Sequence, residues 1–201
     1  MSLLTTWSRL VIGSLASAGV RDVVVSPGSR STPFVLAAAR HGGLRVHEVI
    51  DERAAGFFAL GLARLGGPPP LLLCTSGTAP AHYYPAIVEA SLAELPLVAL
   101  TADRPPELAD CGAPQTIDQT RLFGAHARLF ADLGAPDPEA LEGLRRLISQ
   151  AVLRSRYPIP GPVQLNARAR KPLEPRSPAS AGERALEERA RAIAERPLAL
   201  R

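Results

Sequence analysis

Lysine is almost missing from this chain of 201 residues: Lys171 is the only one, so nearly all of the positive charge is arginine. Aromatic residues make up 4%, too few to build a platform on which nucleic-acid bases could stack. The net charge is +4, but the arginines are scattered through the body and thicken only after Arg168, so the balance does not spell nucleic acid. Arginine in this setting serves either a bidentate grip on carboxylate or phosphate, or plain solubility. There are two cysteines, Cys74 and Cys111, too far apart for a C-x-x-C pair. Cys74 lies in an apolar run and reads as an inert core thiol, which suits a reducing cytoplasm.

Other familiar devices are missing as well. Neither G-x-x-x-x-G-K-[ST] nor G-x-G-x-x-G occurs, which disfavours a P-loop or a dinucleotide fold. His41, His47, His82 and His126 have no metal-ligand spacing. Ser76 stands in T-S-G-T and not in G-x-S-x-G, so a hydrolase elbow is unsupported. No apolar stretch is long enough to cross a membrane. The N-terminal run lacks a basic leader and is broken by Arg9. With Leu3, Trp7, Leu10, Val11 and Leu15 at helical spacing, it predicts an amphipathic first helix ended by Gly19.

Hydrophobic residues are 46% of the chain, enough to argue against disorder and for one α/β domain with an appended tail. Strands are predicted at 22–26, 44–50, 71–75, 97–101, 128–133 and 162–166. Helices alternate with them: Thr32 to about Arg40 with Pro33 at N1, then Asp51 to Arg64, Ala79–Ala93 started or kinked at Pro85, and Pro138–Tyr157. A short helix is expected near Asp118 in the loop 113–123. Such alternation means a three-layer αβα domain with a mostly parallel central sheet of about six strands. Residues 1–166 form this domain, and 167–201, rich in Pro, Arg and Ala, read as a linker toward a further domain.

The pivotal stretch is Val49–Arg64. Asp51 can cap a helix, Glu52 falls in its first turn, and no further charge occurs between Arg53 and Arg64. A helix apolar on every side is expected to be buried all round. Glu52 is then either a lone ligand-binding acid at a strand end or an acid that merely complements the helix dipole. Three strand-end loops, 26–31, 75–78 and 103–108, share one sheet edge and offer hydroxyls, backbone N–H groups and arginines, a combination suited to an anion. Arg30 and Arg104 each read as a carboxylate grip or as half of a structural ion pair.

In order along the chain stand S-P-G-S-R-S-T-P (26–33), D-E-R (51–53), C-T-S-G-T-A (74–79), Y-P-A-I-V-E-A (84–90), L-T-A-D-R-P-P-E-L (100–108) and G-A-P-Q-T-I-D-Q (112–119). Together they resemble the N-terminal pyrimidine-binding domain of the thiamine-diphosphate enzyme family, within it the 2-succinyl-5-enolpyruvyl-6-hydroxy-3-cyclohexene-1-carboxylate synthases of menaquinone biosynthesis. The resemblance runs from about residue 3 to about residue 175. It implies a transferase that uses thiamine diphosphate and Mg2+ or Mn2+, decarboxylates 2-oxoglutarate and adds the succinyl carbanion to isochorismate. It implies that Glu52 hydrogen-bonds N1′ of the aminopyrimidine and is the catalytic and cofactor-binding acid here, and that Ser29, Arg30, Arg104 and Gln115 bind substrate. It further implies a cytoplasmic homo-oligomer, a dimer or dimer of dimers, with no nucleic-acid or membrane partner.

Two positions depart from the pattern, His82 and Pro114, where some relatives carry asparagine, and 167–173 is more basic than usual. The G-D-G…N metal motif of the family's diphosphate-binding domain is absent from these residues. The chain is therefore expected to be a fragment that folds but does not turn over alone, with metal and diphosphate held elsewhere. The rival readings are another thiamine-diphosphate decarboxylase or carboligase, and a non-catalytic regulatory domain of the same fold.

Overall fold

A computed structural model describes residues 3–196. Six parallel strands form one sheet: β1 (Asp22–Val25), β2 (Arg45–Glu48), β3 (Leu71–Cys74), β4 (Leu97–Asp103), β5 (Leu129–Asp132) and β6 (Pro162–Arg168), in the spatial order β2-β1-β3-β4-β6-β5. Helices α1 (Leu3–Ser17), α2 (Thr32–Ala39), α3 (Glu52–Arg64), α4 (Tyr84–Leu92), α5 (Leu141–Arg156) and α6 (Ala181–Glu195) cover it. This is the three-layer α/β architecture that the alternation of elements predicts.

The inner strands β1, β3 and β4 are largely apolar on both faces, as strands of a covered parallel sheet must be. Val23, Val25, Leu71 and Leu73 point into a large core with α1, α2 and α5, whereas Val24, Leu72 and Cys74 point into a smaller one with α3 and α4. The edge strand β2 is mostly exposed, and Asp22 fastens it by two hydrogen bonds from Arg45, at 2.8 and 2.7 Å, and one contact with His47 at 2.8 Å.

Three expectations are corrected. The first helix is not amphipathic in its surroundings: twelve of its residues, from Leu4 to Ala16, are buried, because α6 lies over the face that the domain core leaves open. The close fit is visible at Gly13, where a Cβ would come within 3.0 Å of the Ala194 Cβ, and at Ser17, whose hydroxyl donates to the Ala194 carbonyl at 2.6 Å. Nor is α3 buried all round. Ala55, Gly56, Ala59, Leu60 and Ala63 pack inward, while Phe57 is 50% and Phe58 43% exposed. The chain holds no element that covers that outer face among the described residues. Finally, no helix forms near Asp118. The Asp118 carboxylate accepts instead from the Thr120 backbone N–H at 2.8 Å, a local bond that competes with helix formation.

The segment after β6 stays on the domain. Ala169 N–H donates to the Asp103 carbonyl at 3.0 Å, Leu173 joins the large core, and α6 begins with a capping box between Ser180 and Glu183. Ala190, Ile193 and Ala194 form its buried stripe. Ile193 is fully buried, so Ile193→Ala is expected to cost about 2–5 kcal/mol in a urea titration of this chain. A loss below half a kcal/mol would mean that α6 adds nothing to the fold.

Candidate functional site

The chain leaves β1 for β2 on one side and reaches β3 on the other, so the direction of winding reverses between β1 and β3. Loops at the carboxyl ends of such strands diverge and leave a crevice for ligands. The loop after β1 carries a short 3-10 turn, Ser29–Ser31, entered through Gly28. A Cβ on Gly28 would lie 2.6 Å from the Thr75 Cβ, so only glycine lets this loop sit against the one after β3. The Arg30 N–H donates to Thr75 Oγ1 at 3.3 Å and joins the same two loops.

Arg30 is 6% exposed, yet among the described residues it faces no carboxylate at salt-bridge distance. Its Nη1 donates to the Ala169 carbonyl at 2.6 Å, and its Nε is buried with no partner. Burial, followed by the charge of the neighbouring Arg104, lowers its pKa, with Asp103 opposing. A buried cation beside a second cation, with a donor left over, is an arrangement that an anion completes.

Arg104 follows directly on β4. Its Nη1 donates to Ser76 Oγ at 2.5 Å and its Nη2 to the Pro114 carbonyl at 3.0 Å. Gln115 reaches the same place from the loop 110–120, with its Nε2 donating to the Ser76 carbonyl at 3.0 Å and its backbone in the left-handed region at φ 55°. Ser29 is exposed at the start of the 3-10 turn, beside Arg30 in sequence. The three loops thus meet, and a cavity of about 380 Å3 opens beside Arg104, lined also by Thr116, Ile117, Gln119 and Arg168.

Glu52 is half-buried at the first position of α3. Asp51 does the capping, accepting from the Arg53 N–H at 2.9 Å. The carboxylate lies close enough to the sheet to act on two buried groups. Burial pushes the Cys74 thiol and the Tyr83 hydroxyl up, and the negative charge of Glu52 adds to both shifts. The Tyr83 hydroxyl rests near Ser26 and Cys74 without a well-formed hydrogen bond. Ser26 Oγ donates to the Val49 carbonyl at 2.8 Å and so ties the loop after β1 to the segment leading into Glu52. The acid and the arginines belong to one sheet edge. Among the described residues, no group of three or more His, Cys, Asp or Glu side chains could hold a metal ion.

Sequence reasoning missed the frame behind this edge. Gln119, 1% exposed, accepts from the Gly77 N–H at 3.0 Å and donates to Asn166 Oδ1 at 2.9 Å and to the Ala102 carbonyl at 3.3 Å. Asn166 donates in turn to Asp103 Oδ2 at 2.8 Å. The available signal was polar residues, Thr101, Gln164 and Asn166, inside otherwise apolar strands.

An all-parallel sheet that reverses its winding between β1 and β3, with two arginines and a half-buried acid at its carboxyl edge, defines an α/β domain of the class that binds ligands at that edge. Residues 5–122 match the family model "Thiamine pyrophosphate enzyme, N-terminal TPP binding domain", and the chain belongs to that family. A relative from Sorangium cellulosum named 2-succinyl-5-enolpyruvyl-6-hydroxy-3-cyclohexene-1-carboxylate synthase is 57% identical over 87% of this chain and 29% of that protein. The relative from Dechloromonas aromatica is 52% identical over 89% of this chain and 33% of that protein. That from Chloroflexus aurantiacus is 58% identical over 86% and 29% respectively. The chain thus spans a third or less of the length of these curated relatives.

Proposed function

We propose that this chain is the pyrimidine-binding part of a thiamine-diphosphate transferase that decarboxylates 2-oxoglutarate and adds the succinyl carbanion to isochorismate, a reading supported by the family match and by relatives named for the synthesis of a succinylated cyclohexene carboxylate. The observation that carries this reading is Arg30: a buried guanidinium with an unpartnered Nε, held next to Arg104 at the crevice. Both substrates are dicarboxylates, and two adjacent arginines are the natural receptor for them. Ser29 and Gln115 complete the substrate-binding set from either side.

The residues present also fit the pyrimidine half of the cofactor. Glu52 stands at the carboxyl edge of the sheet, half-shielded by α3, where its carboxylate can accept a hydrogen bond from a protonated ring nitrogen N1′. When bound, thiamine diphosphate supplies the carbon centre that takes up the electrons released on decarboxylation. Glu52 would hold the proton at N1′ of the bound cofactor, and exclusion of water on closure of the site would strengthen that hydrogen bond. The exposed Phe57 and Phe58 on α3 support an assembly in which another domain, from a second copy, closes over this face and brings the diphosphate and a divalent metal, Mg2+ or Mn2+. The free cysteines Cys74 and Cys111 agree with a reducing cytoplasmic setting, and no described helix is long and apolar enough to cross a membrane.

The experiment is an assay of the full-length protein bearing this chain, with thiamine diphosphate and Mg2+. The expected result is carbon dioxide release from 2-oxoglutarate and a product formed only when isochorismate is added, with pyruvate inert. Turnover of pyruvate in preference to 2-oxoglutarate would refute the assignment. The 201-residue chain by itself is expected to fold and to show no turnover.

A further inference from the structure

Ser76 is completely buried, yet its hydroxyl touches two residues of the proposed substrate-binding set, Arg104 and Gln115. Its Oγ accepts from Arg104 Nη1 at 2.5 Å and donates to the Gln115 carbonyl at 3.3 Å, while its own carbonyl accepts from Gln115 Nε2 at 3.0 Å. The next residue, Gly77, is fixed by Gln119 and fits so closely that a Cβ there would meet Gln115 Cγ at 2.7 Å. The hydroxyl therefore sits on a rigid loop. Arg104, in contrast, is half-exposed, and among the described residues its guanidinium donates two hydrogen bonds, one to Ser76 and one to the Pro114 carbonyl on the exposed loop. It also lies beside Arg30, and like charges push apart.

We propose that Ser76 is a positioning residue: its hydroxyl anchors the Arg104 guanidinium next to Arg30 against their mutual repulsion and so presents the remaining N–H donors of Arg104 to a substrate carboxylate. An arginine offers five donors, and Ser76 and Pro114 occupy two of them. The anchor makes no contact with substrate and acts through Arg104. The inference rests on the reading that Arg104 binds the carboxylate of isochorismate.

The test is a double-mutant cycle in the full-length enzyme, with KM and kcat for isochorismate read separately. Ser76→Ala is expected to raise KM about tenfold, the size of one hydrogen bond to a charged group, and to leave kcat within about threefold. In an Arg104→Ala background the same change is expected to have no further effect, because the residue it acts through is gone. Ser76→Cys, which keeps the volume and loses the strong acceptor, is expected to give the same split if Ser76→Ala proves too unstable to assay. A Ser76→Ala enzyme with wild-type KM, or one whose effect on KM persists in full without Arg104, would overturn the inference while leaving the function intact. A wild-type enzyme that ignores isochorismate would overturn both.

Discussion

Glu52→Gln in the full-length enzyme is expected to lower kcat by about 10²–10⁴-fold, the range by which a positioned proton-holding group contributes. The change keeps the shape of the side chain and removes its charge and its ability to hold a proton at N1′. The fold should hardly notice. Asp51, not Glu52, caps α3 through its bond with the Arg53 N–H, and an acid in the first turn adds only about 0.3–1 kcal/mol by complementing the helix dipole. Melting curves of the 201-residue chain with and without the substitution check the second half of this statement. The rates of the full-length enzyme check the first. The two magnitudes separate the two roles open to Glu52: an acid that serves only the helix dipole cannot change kcat by a hundredfold.

The same position shows how far the sequence reaches. The strand ending before Asp51, the cap and the first-turn acid were legible because each is a local matter of propensity and spacing. So was the meeting of the loops bearing Arg30, Ser76 and Arg104, which follows from parallel topology alone. What escaped was non-local. The burial of the first helix depends on α6, about 170 residues later, whose stripe of Ala190, Ile193 and Ala194 is too thin to stand out in sequence. The exposure of Phe57 and Phe58 is the reverse case. Composition marks α3 as an interior helix, and the described residues supply cover for one side of it. The polar staple of Gln119, Asn166 and Asp103 joins three separate segments, and no periodicity announces it.

Arg30 carries the opposite pairing of effects from an ordinary buried residue, and Arg30→Met is the substitution that exposes it. A buried guanidinium with one carbonyl partner, an empty Nε and a second cation alongside is expensive for the folded chain. Methionine keeps much of the volume and removes the charge, so the melting temperature of the 201-residue chain is expected to stay level or rise. The contact that pins the loop after β1, from the Arg30 backbone N–H to Thr75, survives the change. In the full-length enzyme the same substitution strips a charged hydrogen-bonding group from a desolvated carboxylate, a loss of about 2–5 kcal/mol, or roughly 30-fold and upward in KM for isochorismate. Stability and binding should therefore move in opposite directions. Residues kept for packing cannot behave in that way, since losing them weakens the fold first. A fall of several degrees in melting temperature with KM unchanged would make Arg30 a staple between the loop after β1 and Ala169, and would remove the main support for a dicarboxylate at this edge.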